Sequence, residues 1–187
     1  MILSRIEIQS QIEDGRIVIE PYYPAQLGTN SYDLHLGRNM YSVQGECFDA
    51  REDLTDLYKP FTIPEDGIWL FPGILYLGVT VEYTETRCFV PVMEGKSSLA
   101  RMGLVPHLCA GFGDEGFCGH WTLEITVTVP TKVYVGMPIG QIVYHPVYGS
   151  LGKNYSETGS YNNRRDPDPK PTLPNLHLKP HQFIPVV

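Results

Sequence analysis

Trp121-Thr-Leu-Glu-Ile-Thr-Val-Thr-Val129 is the stretch from which the fold can be read. Leu123, Ile125, Val127 and Val129 recur at every second position, the period of a strand buried on one side. Glu124 falls on the opposite face from Leu123 and is expected to line a cavity. Outward from this segment, short β-prone runs recur between turn residues: upstream at 16–20, 31–36, 61–63, 67–71, 74–83 and 88–94, downstream at 133–135 and 139–144. Two helical pieces interrupt them. Ser4 and Glu7 form a capping-box pattern ahead of Ile6, Ile8 and Ile12, in a helix ending near Gly15, and 97–102 forms a short helix between Gly95 and Gly103. Strands and helices do not alternate at βαβ length, so the chain is expected to be mainly β: a distorted β-barrel or jelly-roll-like fold with short helices.

With 187 residues, 42% of them apolar, the chain has material for one substantial core. One β domain over 1–150 is expected, followed by a tail at 151–187 rich in Gly, Asn, Asp, Arg and Pro that packs near or closes over the site. Fourteen Lys and Arg against 21 Asp and Glu give a net charge of -7, which argues against a nucleic-acid-coated surface. A small anionic ligand remains compatible with that balance through a local patch at Lys96 and Arg101. The four cysteines form no CxxC pair, charges come too early for a signal peptide, and no apolar run reaches the length of a membrane span. A cytoplasmic protein with reduced thiols and no membrane partner is expected.

Chemistry concentrates in Glu94-Gly-Lys-Ser-Ser-Leu-Ala-Arg101. Its backbone N–H groups, hydroxyls and ammonium suit phosphate oxygens, and Arg101 adds a planar fork. Lys96 and Arg101 alone read as solvated charges beside a turn, and Glu124 alone as an ordinary polar strand residue; with Asp114, the set reads as an enzyme site in one compact core. No Walker loop, Rossmann fingerprint or zinc-deaminase His-x-Glu with Pro-Cys-x-x-Cys occurs. His107, Cys109, Cys118 and His120 match no standard zinc spacing; the cysteines read as small core side chains and the histidines as surface or hydrogen-bonding groups.

Six pieces together resemble the dCTP deaminase branch of the trimeric dUTPase-like superfamily, over most of residues 1–145. They are Met1-Ile-Leu-Ser, Ser31-Tyr-Asp-Leu-His-Leu-Gly37, Glu94-Gly-Lys-Ser-Ser-Leu-Ala-Arg-Met-Gly-Leu104, Ala110-Gly-Phe-Gly-Asp-Glu-Gly-Phe-Cys-Gly119, Thr122-Leu-Glu124 and Gly136-Met-Pro-Ile-Gly-Gln141. The resemblance implies a homotrimer with active sites at subunit boundaries, acting on dCTP and dUTP. It implies zinc-independent deamination at C4 of cytosine, with Mg2+ held by the triphosphate. Ser97 and Arg101 match the family's catalytic serine and arginine, and Glu124 its water-activating glutamate. Lys96 stands where a phosphate-binding arginine is usual, and Ala110 where a backbone group meets the base; Ser98, Phe112 and Gln141 complete the expected substrate contacts. Attack at C4 needs an activated water and a proton at N3, which one carboxyl can move in turn. Arg101 cannot be the acid, because a guanidinium keeps its protons.

Gly111-Phe112 before Gly113-Asp114, in place of a His-Arg pair, looks more like the bifunctional members that also release pyrophosphate and leave dUMP. Two readings of Asp114 stay open: aligning a water at the α-phosphate, or accepting turn N–H bonds between Gly113 and Gly116. In the tail, 153–155 and 160–164 compete as the phosphate-closing segment, with Tyr161, Arg164 and Lys153 the favoured contacts. A plain dUTPase, or a non-catalytic nucleotide-binding trimer, is the alternative; ammonia release from dCTP separates both from a deaminase.

Overall fold

The structure, a computed structural model, describes residues 1–43, 47–49, 51–53, 55–149, 152, 154–159, 162, 165–166 and 170–173. In chain order the elements are α1 (Arg5–Glu13), β1 (Ile17–Glu20), β2 (Tyr32–His35), β3 (Asn39–Val43), β4 (Tyr58–Thr62), β5 (Ile68–Leu70), β6 (Tyr76–Thr86), β7 (Phe89–Gly95), α2 (Ser97–Ala100), β8 (Leu104–Val105), β9 (Cys118–Val127), β10 (Thr131–Val133), β11 (Pro138–Pro146) and α3 (Tyr155–Thr158). Ser4 caps α1 as expected, its hydroxyl accepting the Glu7 N–H at 3.3 Å. The Glu7 carboxylate turns instead to Gln11 Nε2 at 2.7 Å, so only half of the capping box forms.

The strands make three antiparallel sheets: β4-β3-β6-β9-β8 with β1 also on β6, β2-β11-β7, and the pair β10-β5. The architecture is mainly β with few short helices, as expected, and among the described residues no sheet closes into a ring. One core joins the sheets: Leu34 and Ile142 from the three-stranded sheet pack in the same cluster as Leu123, Ile125 and Val127 of β9. The alternation of β9 is complete along its length, because its inner side chains fill that core. Three departures have local causes. β3 was not expected, since only Met40 of its residues is buried and no apolar alternation betrays it. β10 starts at Thr131 rather than 133, where pairing with Leu70 sets its register. The four-residue α3 lies in a segment whose composition gives no helical signal.

β6 is the longest strand and lies between β1, β3 and β9. Its register with β9 shifts between Val79 and Tyr83, and there Glu82 points inward with no exposed surface. Its carboxylate accepts the His35 main-chain N–H at 2.9 Å and meets His35 Nδ1 at 2.5 Å, bonding β2 of the second sheet to β6 of the first. Burial pushes the Glu82 carboxyl up, while the bonds from His35 oppose the shift.

Glu82→Ala strips His35 of both bonds and is expected to cost about 3 kcal/mol of stability, as broken buried pairs do. Urea denaturation measures it; a loss below about 1 kcal/mol would place the pair among dispensable contacts.

Candidate active site

Along the outer face of β9, His120, Thr122 and Glu124 follow one another at every second residue and line a cavity of about 510 Å³. Tyr58 of β4 and Leu77 of β6 form part of its wall. The loop through Ala110, Phe112 and Asp114 forms another, and Phe117, Trp121, Tyr155 and Thr172 lie along the remainder. The polar face of β9 is thus walled by loop and tail, and Trp121 of its buried face reaches the cavity as well.

Glu124 is half-buried, and burial pushes its carboxyl above the ordinary glutamate value, with only its own backbone N–H acting against the shift. The Tyr58 hydroxyl is pushed up by burial and then by the Glu124 charge, so the two face one another electrostatically. His120 donates from Nδ1 to the Thr80 carbonyl at 3.2 Å, and burial pushes its imidazole below the usual histidine value. Trp121 is fixed by an indole N–H bond to Thr84 Oγ1 at 3.0 Å and packs on Phe117 at 4.7 Å between ring centroids.

The loop bearing Ala110, Phe112 and Asp114 is stitched to β7. Met93 donates to the Gly111 carbonyl at 2.7 Å, Gly113 donates to the Pro91 carbonyl at 2.8 Å, and Val92 and Phe112 form a β-bridge. A side chain at Gly113 would lie 2.7 Å from the Trp121 ring and 2.9 Å from Pro91, so only glycine permits this approach. The Phe112 side chain stands 67% exposed at the cavity. At Asp114 the turn closes through its main-chain carbonyl, which accepts the Phe117 N–H at 3.1 Å. Asp114 itself lines the cavity.

Ser97, Ser98 and Arg101 are exposed on and beside α2 and are not part of the cavity wall. Lys96 is held by Asp33 at 2.5 Å. Gln141 donates to the Gly95 carbonyl at 3.0 Å and accepts from Ser31 Oγ at 2.7 Å, bracing the same turn from β11. The expectation that the anion binders and the carboxylates share one compact core is therefore corrected: a single chain presents two groups, with Glu124, Asp114, Ala110 and Phe112 at the cavity and Lys96, Ser97, Ser98, Arg101 and Gln141 around α2. Lys153, Tyr161 and Arg164 lie outside the described residues. The reading of Cys109 and Cys118 as core residues is also corrected, since Cys109 is exposed at the cavity and Cys118 is half-buried, its main-chain N–H bonding Asn162 Oδ1 at 2.7 Å. Tyr58, His120, Trp121, Tyr155 and Thr172 were not anticipated as cavity residues. For Tyr155 the Lys153-Asn-Tyr155 match was a signal; for Tyr58 and Thr172 nothing in the sequence pointed there.

A family model described as dCTP deaminase-like matches residues 2–147. The protein of Cytophaga hutchinsonii named "dCTP deaminase, dUMP-forming" is 44% identical over 169 residues, which span 90% of this chain and 95% of that one. The protein of the same name from Clostridium acetobutylicum is 44% identical over the same share of each chain. The crystal structure of 2'-deoxycytidine 5'-triphosphate deaminase from Agrobacterium tumefaciens aligns with a TM-score of 0.64 at 21% identity, a likeness of fold that covers 80% of this chain and 49% of that one. By the extent of the family match and by identity to relatives over almost their whole length, the chain belongs to the dCTP deaminase-like family.

Proposed function

We propose that this chain hydrolyses dCTP to ammonia, dUMP and pyrophosphate at one site, with deamination at C4 as the first step. The observation that carries the reading is Glu124, a carboxyl raised above the ordinary glutamate value by burial, at the wall of a cavity bordered by the Ala110–Asp114 loop. Such a group can be ionised when it takes a proton from water and still acidic enough to return it. In the proposed step the water oxygen bonds to C4, the C4=N3 electron pair moves to N3, and Glu124 delivers the water's proton there. Glu124 then carries the proton of the new C4 hydroxyl to N4, the C4–N4 bond breaks as the carbonyl forms, and ammonia leaves. The names of the curated relatives support the choice of dCTP and of dUMP as product.

Ser97 orients the water and Arg101 steadies the developing charge in this reading, but both lie outside the cavity of their own chain. We therefore assign them to the cavity of a neighbouring copy, in a homotrimer whose sites form between subunits. Lys96, fixed by Asp33, and Ser98 meet phosphate there, while Ala110 and Phe112 meet the base. The segment beyond 150 closes the site, a role supported by Tyr155 and Thr172 at the cavity wall. Magnesium is expected to arrive on the triphosphate, whose oxygens suit a small hard cation, and it would there draw charge from the phosphates. Asp114, at the cavity wall, aligns the water that attacks the α-phosphate.

Anion-exchange chromatography of dCTP reactions over time should show dUMP and pyrophosphate; dUTP accumulating without dUMP would reduce the enzyme to a deaminase. Asp114→Asn should stop pyrophosphate release while ammonia release continues.

Glu124→Gln should lower kcat for ammonia release by roughly 100-fold or more with nucleotide binding retained. The raised pKa of Glu124 puts the acid limb of the wild-type pH profile above the ordinary value of about 4.3, activity falling as pH drops through it. A carboxyl whose folded pKa exceeds its unfolded one penalises folding fully above the folded value and not at all below the unfolded one. Glu124→Gln should therefore melt higher than wild type at pH 7, with the gap closing toward pH ~4. A gap independent of pH would remove burial as the cause.

Sedimentation equilibrium at micromolar concentration should give a trimer, and a monomer there would sink the shared-site arrangement.

A further inference from the structure

We propose that Glu115 is a latch between the tail and the turn that carries Asp114, setting how often Tyr155 is in place at the cavity before nucleotide binds. Glu115 is 8% exposed, so its carboxylate must be met by donors. They come from two distant segments. Oε1 accepts the Cys88 N–H at 2.8 Å, and Oε2 accepts from Asn154 Nδ2 at 2.6 Å. The Glu115 carbonyl also accepts the Tyr155 N–H, at 3.2 Å.

Each end of this contact is shaped for it. Cys88 takes a left-handed φ of +68° in the connection from β6 to β7, where its N–H reaches the Glu115 carboxylate. Gly116 has φ +86°, and a side chain there would collide with the Asn154 amide. Asn154 also accepts the Ser156 N–H at 2.9 Å, capping α3, and the Tyr155 ring then lies 6.2 Å from that of Phe117. A helix of four residues does not persist in water by itself, so its position depends on such anchors. Glu115 thus acts through Tyr155 and Asp114 as a positioning residue: it fixes the turn before Phe117 from one side and the tail from the other. Loosening it lowers the fraction of chains with the wall assembled, and apparent affinity falls by that fraction while the saturated rate stays.

The test inverts the polarity of the contact. Glu115→Gln retains an acceptor for Cys88 but sets an amide NH2 against that of Asn154, and Asn154→Asp sets two carboxylates together. The double variant Glu115→Gln/Asn154→Asp restores one donor and one acceptor, and the new carboxylate still caps Ser156. Hydrogen exchange of the 155–159 amides in nucleotide-free protein and the KM and kcat of ammonia release from dCTP are the readouts. Each single variant should speed exchange and raise KM about tenfold with kcat within about twofold, and the double variant should bring both back. If Glu115→Gln fails to fold around Cys88, Asn154→Asp and Asn154→Ala read the same contact from the tail. Exchange unchanged in the folding single variants, no recovery in the double variant, or a fall in kcat at constant KM overturns the latch. The kinetic arm rests on the proposed deamination; a wild type that releases no ammonia refutes that reading, while the exchange arm still decides the latch.

Discussion

Glu82 is the point from which the cavity side of the molecule is suspended. A carboxylate with no exposed surface in the middle of the longest strand cannot go without donors, and both of its bonds come from His35 on a different sheet. Around it the strand bulges, and the bulge supplies the attachments of β9: the Thr80 hydroxyl takes the Trp121 N–H at 2.9 Å and donates to the Glu82 carbonyl at 2.9 Å. The Thr80 carbonyl takes the His120 ring. The register of β9 beyond the bulge sets Thr122 opposite Val79 and Glu124 opposite Leu77. The place of the candidate base in the cavity thus descends from a buried pair that never touches it.

Features governed by neighbours in the chain were legible in the sequence. The alternation in β9 named both its inner face and Glu124 on the outer one, and Ser4 announced the start of α1. Glycines around Phe112 marked the loop that borders the cavity. Features made by pairing across the fold were not legible. His35 and Glu82 are 47 residues apart, and nothing local distinguishes Glu82 from a solvated glutamate. Tyr58 belongs to the cavity only because β4 pairs with β3 and β3 with β6, and β3 carries no apolar pattern of its own.

The distance in sequence between Arg101 and Glu124 was misleading for the same reason. Between them the chain makes the short β8 and the loop on β7, then returns as β9. Gly103, in the left-handed region at φ +77° and packed against Thr128, reverses the chain after α2, so the serines and Arg101 face solvent while Glu124 faces the cavity. Closeness along the chain says nothing about which side of a sheet two residues occupy.

The pair of glycines around Phe112 has a consequence for which positions of this loop can change. The course of this loop is held by main-chain bonds to Pro91 and Met93, and the absence of side chains at 111 and 113 is what lets the backbone come close enough to make them. The side chain between them carries none of that load and stands largely in solvent at the cavity mouth. Mutational tolerance is therefore divided residue by residue, with two positions closed to change flanking one that is open. A different side chain at 112 would therefore change the lining of the cavity while leaving the main-chain bonds of the loop in place.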